Sequence, residues 1–385
     1  MNGRIGTYIS KTTVGETYKT YVPPALPPQD PPLNLEALYP FMEKATIALA
    51  ELNAVSKSIP NKALFIYMYV RKEALLSSQI EGTQSSLSDL MLFEHHEKTN
   101  VTIDDVEEVS NYVRAMTYGL ERLRSGFPLS LRLIREIHSI LLAGGRGANK
   151  QPGEFRRSQN WIGGTRPGNA YFVPPAPEDL PQCLSDMEKF LHAKNQPVLI
   201  KAGIAHVQFE TIHPFLDGNG RLGRLLITML LCDSGLLDEP ILYLSLFLKE
   251  NRSLYYDLLQ EVRTRGNWET WLEFFLDGVT MTAKQALSSA TRINKMFDDD
   301  LTSIQKLGRA KVSAEQTLEY MKKLPQVTAP ALSVETGLSA PTARAALNHL
   351  VDLGILEEIT GKQTDKIYVY RKYLAILEEG TEPLK

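Results

Sequence analysis

The sequence has few cysteines, little net charge and no long hydrophobic run. Only two cysteines, Cys183 and Cys232, occur in 385 residues. They are not clustered, so neither a disulfide framework nor a zinc site is indicated and a reducing compartment is expected. The formal net charge of −3 excludes a broadly basic nucleic-acid binder but is compatible with a local basic patch. No hydrophobic signal segment and no apolar run of membrane-spanning length occurs, so we expect a cytoplasmic protein without a membrane partner.

The length and composition are those of an ordinary globular protein. Hydrophobic residues make up 43% of the chain and charged residues 23%, and the length is enough for roughly two or three domains. Apolar residues recur at three- and four-residue intervals over much of the chain, which predicts a mainly α fold. Helices are predicted over residues 35–56, 62–79, 104–124, 129–142, 177–194, 198–212, 246–263 and 268–296.

The stretch from His213 to Arg224 concentrates groups that can bind phosphates. It reads HPFLDGNGRLGR and leads into the apolar run 225–232, which is typical of a buried helix. A glycine-rich turn that opens a helix presents free N–H groups and the positive end of the helix dipole, and the two together form an anion site. Gly218 and Gly220 let the backbone approach a ligand closely because they lack a Cβ.

The charged side chains of this stretch fit the same interpretation. Arg221 and Arg224 lie three residues apart, so one helix face can present both guanidinium groups to phosphates. Asp217 is a hard oxygen ligand in a place suited to Mg²⁺, and His213 is able to take a proton near neutral pH. The stretch therefore predicts a nucleotide phosphate site with a general base. It is not a P-loop, because no Gly-Lys-Ser/Thr follows the glycines.

The same residues resemble the full signature of the Fic-domain family, H-x-F-x-D-G-N-G-R-x-x-R, without a departure. Most members of that family transfer AMP from ATP to a hydroxyl side chain of a target protein and release pyrophosphate. The resemblance implies ATP as substrate, Mg²⁺ held by Asp217, and Asn219 and Arg221 at the α- and β-phosphates. His213 would deprotonate the target's Ser, Thr or Tyr hydroxyl. The implied nucleotide-binding residues of the signature are Asp217, Gly218, Asn219, Gly220, Arg221, Leu222, Gly223 and Arg224.

A short motif near residue 80 resembles the inhibitory motif of that family, (S/T)-x-x-x-E-(G/N). Ser77, Glu81 and Gly82 occupy the matching places. From the residues alone, Gly82 is typical of a left-handed helix C-cap. The helix dipole disfavours a negative charge at this end, so Glu81 indicates an external cation partner. The resemblance implies an N-terminal inhibitory helix in which Glu81 pairs with Arg224 and obstructs the γ-phosphate position.

Residues 160–175 predict a β-hairpin with a Pro-Gly-Asn turn. Its open edge could pair with an extended segment of a partner protein. By resemblance this is the family's flap, which holds the backbone of the target protein. Tyr255 would lie near the adenine, but Arg263 stands where the family has an Asn, which leaves the adenine contacts open. The flap residues expected over the nucleotide are Ile162, Gly163, Gly164 and Thr165.

Two histidine patterns could indicate a metal site. His206, Glu210 and His213 fall on one helix face, but by resemblance the first is structural and the cation ligand is Asp217. The adjacent pair His95–His96 points to different helix faces, which does not favour a shared metal ion.

Residues 313–385 differ in pattern from the rest of the chain. Three helix signals followed by two alternating strands predict a winged helix-turn-helix. The basic side chains among the candidate contact residues are Arg344, Lys362 and Lys366. They are few compared with the roughly 6–10 phosphate contacts of a protein that binds DNA tightly. DNA binding and a protein–protein or homodimer module both stay open. The candidate contact residues are Ser339, Thr342, Arg344, Asn348, Lys362 and Lys366.

The predicted organisation is a Fic-type helical core with appended segments. These are an N-terminal arm (1–34), N-terminal helices with the inhibitory helix (35–100), the catalytic core (101–297), a linker (298–312) and the winged-helix domain (313–385). The function implied by the resemblance is a protein adenylyltransferase that acts on target proteins or on itself and is inhibited by Glu81. The alternatives are de-AMPylation, in which Glu81 activates water, a nucleotide-sensing DNA-binding regulator, and a transferase that uses another nucleotide donor.

Overall fold

The computed structural model describes residues 3–13, 15–58, 62–94, 102–144, 147–362, 364 and 366–383. The pair His95–His96 lies outside the described residues. The helices of the first half are α1 (Leu35–Ser58), α2 (Lys62–Ile80), α3 (Leu87–Glu94), α4 (Ile103–Arg124), α5 (Leu131–Leu141), α6 (Leu180–His192), α7 (Val198–Ile212) and α8 (Asn219–Asp233). Those of the second half are α9 (Ser245–Glu250), α10 (Arg252–Arg265), α11 (Trp268–Ile304), α12 (Lys311–Lys323), α13 (Ala329–Thr336), α14 (Ala340–Asp352) and α15 (Arg371–Glu378). The strands are β1 (Thr7–Thr13), β2 (Glu16–Val22), β3 (Gln326–Thr328), β4 (Glu357–Glu358) and β5 (Ile367–Val369).

Helices α7 and α8 lie at the centre of the fold. Nearly every residue of α7 is buried, which is the pattern of a helix surrounded by other helices. It packs against α8, α6 and α11, and α8 packs in turn against α4. The turn 213–218 joins α7 to α8, so both of its ends are anchored in the core.

Helix α2 brings the predicted inhibitory motif to this turn. It packs against α4, α8 and α9, and its last residues are buried even where they are polar, as at Ser77 and Gln79. Gly82 follows with a φ of 101°, so the left-handed C-cap predicted there is confirmed. No helix in the described part of the chain has both the length and the apolar character that crossing a membrane requires.

The N-terminal arm is an antiparallel hairpin of β1 and β2, paired from Thr7 with Val22 to Thr13 with Glu16. The hairpin contacts the flap directly. The N–H of Tyr21 donates to the carbonyl of Val173 at 3.0 Å, and Glu16 accepts the N–H of Gly168 at 3.0 Å. The arm therefore supports the flap, a contact that the sequence pattern did not indicate.

Two predicted helix boundaries were wrong. The single helix predicted over 246–263 is two helices, because Asn251 leaves helical geometry and its side chain donates to the Phe247 carbonyl. The linker predicted over 298–312 is mostly helical. Helix α11 continues through it to Ile304, since Phe297 and Ile304 are buried on one face while the aspartates between them stay at the surface. Helix α3 lies between the helices predicted over 62–79 and 104–124, where no helix was predicted.

The C-terminal elements form a small unit of helices and strands. Strands β3, β5 and β4 make an antiparallel sheet in that order, and α13 and α14 are joined through Gly337, whose φ is 71°. Helices α12, α13 and α14 and strands β4 and β5 follow in the predicted order, whereas β3 and α15 were not predicted. Beyond the sheet, α15 packs against α2 and α3, so the unit is attached to the helix that carries the predicted inhibitory motif.

Candidate active site

His213 ends α7 in an unusual backbone conformation. Its φ of 48° and ψ of 62° are left-handed, a region that side chains with a Cβ rarely adopt. The carbonyl of His213 accepts hydrogen bonds from Arg156 Nε at 2.9 Å and Asn160 Nδ2 at 3.1 Å. These bonds compensate for the strain and fix the direction in which the imidazole leaves the turn.

The turn before α8 is held from within by polar side chains. Asn219 Oδ1 accepts the N–H of Phe215, and Asn219 Nδ2 donates to the Phe215 carbonyl, both at 2.9 Å. His138 stacks on Phe215 with ring centroids 3.7 Å apart. Since Nδ1 of His138 accepts the N–H of Gly153, its Nε2 donates to the Asp217 carbonyl at 3.0 Å. The turn is therefore rigid, as a site that binds anions through main-chain N–H groups requires.

The imidazole of His213 lies between the protein interior and a cavity. Its side chain is 21% exposed. Burial, together with the charges of Arg263 and Arg156, lowers its pKa to about 4. The ring is therefore neutral at pH 7 and able to accept a proton. On the interior side, Nδ1 lies 3.8 Å from Glu210 Oε2.

Arg224 is buried and bonded to the end of α2. Its Nε donates to Ser77 Oγ and its Nη2 to the Ser77 carbonyl, both at 2.9 Å, and Nη2 also donates to Glu81 Oε1 at 2.6 Å. Burial alone would raise the pKa of Glu81, but the charge and hydrogen bond of Arg224 outweigh it and hold that pKa below its ordinary value. Arg224 is thus the cation partner that the helix-dipole argument indicated for Glu81.

The Glu81 carboxylate also covers the first turn of α8. A Cβ on Gly220 would lie 2.2 Å from Glu81 Oε1 and 3.1 Å from Arg224 Nη1, so a larger residue here would have to displace the Glu81 carboxylate. The carboxylate therefore occupies the space in which an anionic ligand would meet the N-terminus of α8.

Asp217 and Arg221 form a second charged group at the turn. Arg221 Nη1 lies 3.0 Å from Glu108 Oε1 on α4, and its Nη2 lies 3.6 Å from Asp217 Oδ1. The Asp217 side chain is 36% exposed and accepts the N–H of Gly218 at 2.7 Å. One accessible carboxylate fits a Mg²⁺ ion whose other ligands are phosphate and water oxygens. No group of three His, Cys, Asp or Glu side chains able to hold a metal occurs in the part of the chain that the structure describes.

A cavity of about 530 Å³ opens over His213 and Gly220. Its volume is in the range of pockets for small molecules and cofactors. Aromatic and cationic side chains share the wall, which is the chemistry that a nucleotide base and its phosphates would contact. The wall is formed by Glu81, Trp161, Ile162, Gly163, Tyr171, Glu210, His213, Gly220, Arg224, Arg252, Tyr255, Tyr256, Leu259 and Arg263.

Two family models match the segments that build this site. The Fic/DOC family N-terminal model covers residues 39–121, which contain the α2 motif. The Fic/DOC family model covers residues 128–231, which contain His213 and the whole glycine-rich turn. The chain carries a Fic/DOC domain in these two segments.

Relatives agree with these matches in sequence, and solved structures agree in fold. The chain is 30% identical over 238 residues to the protein adenylyltransferase Fic of Drosophila grimshawi and 32% identical over 241 residues to that of Aedes aegypti. Each match covers 60% of this chain, but it spans only 45% and 44% of those relatives' own lengths. A Fic family protein from Desulfovibrio desulfuricans G20 shares the fold with a TM-score of 0.55 and 20% identity, over 86% of this chain and 96% of that one. Fic-1 from C. elegans gives a TM-score of 0.51 and 22% identity, over 68% and 74%.

The Fic signature residues divide between the cavity and the protein interior. His213, Gly220 and Arg224 line the cavity. The Asn219 side chain is used inside the turn, and Leu222 is fully buried in the core. Contacts predicted between Asn219 or Leu222 and a phosphate would therefore come from their main chains. Arg221 is engaged with Glu108, and its predicted phosphate contact would have to compete with that pair.

The Fic flap is less regular than the predicted hairpin. Its strands are reduced to one antiparallel bridge, Ile162 with Phe172. Gly163 and Gly164 have φ values of 68° and 70°, so the ladder cannot continue through them. Ile162 and Gly163 line the cavity, whereas Thr165 lies farther along, where its N–H donates to Asn169 Oδ1.

Several residues that shape the Fic site were missed from the sequence. His138 and Glu108 are both buried although they are polar. Each lies on the apolar face of a predicted amphipathic helix, which is the signal that could have identified them. Arg156, which donates to the carbonyls of His213 and Pro175, was not predicted as a site residue.

Proposed function

We propose that the protein is an adenylyltransferase that transfers AMP from ATP to a hydroxyl side chain of a target protein or of itself. One observation carries the proposal: the neutral imidazole of His213 and the anion-binding start of α8 at Gly220 line the same cavity. Attack of a hydroxyl on a nucleotide phosphate requires a base and a phosphate site that face the same space. The names of the relatives from Drosophila grimshawi and Aedes aegypti support the same activity.

In this proposal the triphosphate lies along the N-terminus of α8. The main-chain N–H groups after Gly218 and the helix dipole stabilise its negative charge, and Arg224 binds the γ-phosphate once Glu81 has left it. His213 takes the proton from the target hydroxyl as its oxygen attacks the α-phosphorus and pyrophosphate leaves. Asp217 would hold Mg²⁺, which when bound adds positive charge to the phosphates. Most of the rate comes from positioning and charge neutralisation.

The proposal includes inhibition by Glu81. Its carboxylate is ionised at neutral pH and lies both on Arg224 and over Gly220. A γ-phosphate cannot share this space with a carboxylate, because two negative charges would compete for one guanidinium group. Resting activity is therefore low, and movement of Glu81 raises it.

The target protein is proposed to bind along the flap. Tyr171 and Trp161 are exposed there, at 58% and 39%, beside the open edge next to Ile162. An extended segment that pairs with this edge would bring a Ser, Thr or Tyr hydroxyl towards His213.

The decisive experiment follows the label from ATP in three proteins. Wild type, Glu81→Gly and His213→Ala are incubated with cell extract and with either α- or γ-labelled ATP. The proposal expects protein labelling from the α-label only, strongest in Glu81→Gly and absent in His213→Ala. Unlabelled UTP, GTP and CDP-choline are added as competitors, and displacement by one of them in preference to ATP would identify another donor. Equal labelling in all three proteins would refute the assignment of both residues.

The reverse reaction is a second candidate because Glu81 lines the cavity and is 33% exposed. An ionised carboxylate in this place could activate a water molecule to remove AMP from a modified protein. A pre-AMPylated target separates the two candidates. Loss of AMP with wild type and its retention with Glu81→Gly would favour de-AMPylation.

The proposal extends to residues 313–385 as a winged-helix module. Thr342, Arg344 and Asn348 are exposed on α14, the second helix of the predicted helix-turn-helix. A nucleotide-sensing DNA regulator would bind a defined DNA site with a salt-dependent affinity that Arg344→Ala reduces. Binding that is unaffected by this change would favour a protein–protein or homodimer role.

A further inference from the structure

Glu210 is a buried carboxylate next to the imidazole of His213. It lies one helical turn before His213 on α7, is 6% exposed, and its Oε2 is 3.8 Å from His213 Nδ1. In the described part of the chain, neither Nδ1 of His213 nor Oε1 of Glu210 has a hydrogen bond of normal geometry. The main-chain carbonyl of Glu210 is a second, weak acceptor for the imidazole and acts to raise the pKa of His213. Gly223 leaves room for this carboxylate, since a Cβ there would lie 2.7 Å from Glu210 Oε1. Burying a carboxyl group without a full set of hydrogen-bond partners costs free energy. A function of Glu210 in the site would account for its burial.

The electrostatics of the two groups depend on each other. Burial raises the pKa of Glu210 to about 7, although Arg224 and Arg263 act to lower it. Burial, with Arg263 and Arg156, lowers the pKa of His213 to about 4. Each shift disfavours the charged form of one group. When His213 takes up a proton, the imidazolium lies beside the Glu210 carboxylate. The attraction between the two opposite charges then offsets part of the free energy that burial costs each of them.

We propose that Glu210 is a positioning residue for AMP transfer: its carboxylate holds the Nδ1–H tautomer of His213 and stabilises the imidazolium that forms during the reaction. The inference rests on the function proposed above. The hydroxyl oxygen forms its bond to the α-phosphorus, the bond to pyrophosphate breaks, and the hydroxyl proton moves to Nε2 of His213. The proton on Nδ1 stays directed at Glu210 Oε2 throughout. Nδ1 is buried while part of the ring is exposed, so Nε2 is the nitrogen available to the cavity.

This arrangement answers a difficulty in the site. A base with a pKa near 4 accepts a proton poorly at neutral pH. Arg156 and Arg263, which shape the turn, both add to that difficulty by repelling a positive charge on the ring. A carboxylate behind Nδ1 opposes the two cations and makes His213 a stronger base at the moment when the proton arrives.

The test uses the Glu81→Gly protein as parent, in which the inhibitory carboxylate is absent. Glu210→Gln, Glu210→Asp and Glu210→Ala are made in this parent, with Glu51→Gln, an exposed carboxylate on α1, as the matched control. Transfer from α-labelled ATP gives kcat and the KM for ATP, calorimetry gives the affinity for ATP, and thermal unfolding gives Tm. Formate is then added to Glu210→Ala, with chloride at equal ionic strength for comparison.

A positioning role predicts a fall in kcat without a matching loss of ATP binding. In Glu210→Gln we expect kcat to fall about tenfold to a hundredfold, a part of the ~10²–10⁴ that a general base contributes. Glu210→Asp retains more activity than Glu210→Gln, and formate restores activity to Glu210→Ala, where it can occupy the space of the missing carboxylate. Glu51→Gln behaves as the parent does.

Other results would overturn the inference in distinguishable ways. An active parent whose kcat is unchanged by Glu210→Gln would remove Glu210 from the mechanism and leave the proposed function standing. A joint fall of kcat, ATP affinity and Tm that formate does not reverse would show that Glu210 only supports the fold. A parent and wild type that transfer no AMP would overturn the proposed function, and the role of Glu210 would fall with it.

Discussion

Arg224 and Glu81, which are 143 residues apart in sequence, form an ion pair at 2.6 Å between the start of α8 and the end of α2. The pair is asymmetric: the side chain of Arg224 is 2% exposed and that of Glu81 is 33% exposed. Arg224 is fixed by the core around α8, so the pair opens by a movement of Glu81 and the end of α2. In the proposed mechanism, a signal that relieves inhibition would therefore act on α2 and leave the phosphate site intact.

Removing the Ser77 hydroxyl should weaken inhibition only partly. Ser77 Oγ accepts a hydrogen bond from Arg224 Nε, and without it a buried N–H of a charged group loses its partner. We expect Ser77→Ala to lower the free energy of unfolding by about 1–3 kcal/mol. Auto-AMPylation should rise above wild type but stay below that of Glu81→Gly, because Glu81 still covers Gly220. Denaturant titration and α-labelled ATP measure the two effects.

Ser78→Ala is the matched control for that change. Ser78 is equally buried, but its hydroxyl has no hydrogen-bond partner among the described residues. Its removal should leave both the unfolding free energy and the labelling rate near those of wild type. Equal activation in the two variants would show that Arg224 is not sensitive to the hydroxyl of Ser77.

Much of this site could be predicted because its phosphate-binding part is contiguous in sequence. The pattern of apolar residues predicted a helix over 198–212, and α7 spans Val198–Ile212. Glycines and charged residues after it predicted the anion turn. The unfavourable place of Glu81 at a helix C-terminus predicted a cation partner before any partner could be named. In each case the information is local, since helix periodicity, dipoles and turn chemistry act within a few residues.

The parts that could not be predicted depend on contacts between distant segments. Periodicity marks the faces on which Glu108 and His138 lie, but it does not reveal that they meet Arg221 and the Asp217 carbonyl. The flap was overestimated as a hairpin because alternating residues indicate strands, whereas the positive φ values of its glycines end the pairing. Support of the flap by the N-terminal strands is likewise a tertiary contact without a local signal.

Stability should fall in mild acid because of His138. Burial lowers the pKa of His138 to about 4 from an ordinary 6.5. As the pH falls, His138 is therefore protonated at a higher pH in the unfolded state than in the folded state. The stabilising contribution is complete above pH 6.5 and is lost as the pH falls towards 4, a loss of about 3 kcal/mol in unfolding free energy. Denaturant titrations between pH 7.5 and 4.5 measure it.

His138→Asn isolates this contribution. Asparagine keeps an acceptor for the Gly153 N–H but takes up no proton in this range. The variant should be less stable at pH 7.5, because it loses the bond to the Asp217 carbonyl and the stacking on Phe215. Its stability should also depend less on pH than that of wild type. Parallel pH curves for the two proteins would contradict the role of His138.

Lys249 connects the C-terminal segment to the last turn of α2. Its Nζ donates to Gln79 Oε1 at 2.7 Å and to the carbonyls of Gly380 and Glu382, and Gln79 Nε2 donates to the Thr381 carbonyl at 2.7 Å. We expect Lys249→Met to lower the unfolding free energy by about 1–3 kcal/mol. It should also raise basal labelling, since the last turn of α2 loses its attachment.

Hydrogen exchange distinguishes this explanation from general destabilisation. In Lys249→Met, amides of residues 77–82 should exchange faster while those of α7 keep their protection. Lys284→Met, which changes an exposed lysine on α11, serves as control and should alter neither exchange nor labelling. Faster exchange throughout the protein without activation would argue against a specific attachment.

Gly220→Ala should separate inhibition from phosphate binding. The added Cβ would lie 2.2 Å from Glu81 Oε1, so it must displace the inhibitory carboxylate. Alanine is the better helix former by about 1 kcal/mol, so α8 should remain folded. The methyl group, however, occupies the surface on which the phosphates approach the main chain. We therefore expect ATP affinity and labelling to fall even though Glu81 has been removed from Arg224. The same substitution in Glu81→Gly, where no carboxylate can clash, should abolish the activation. If the double variant labels itself as well as Glu81→Gly does, close approach at Gly220 is not required, and the triphosphate must bind elsewhere in the cavity.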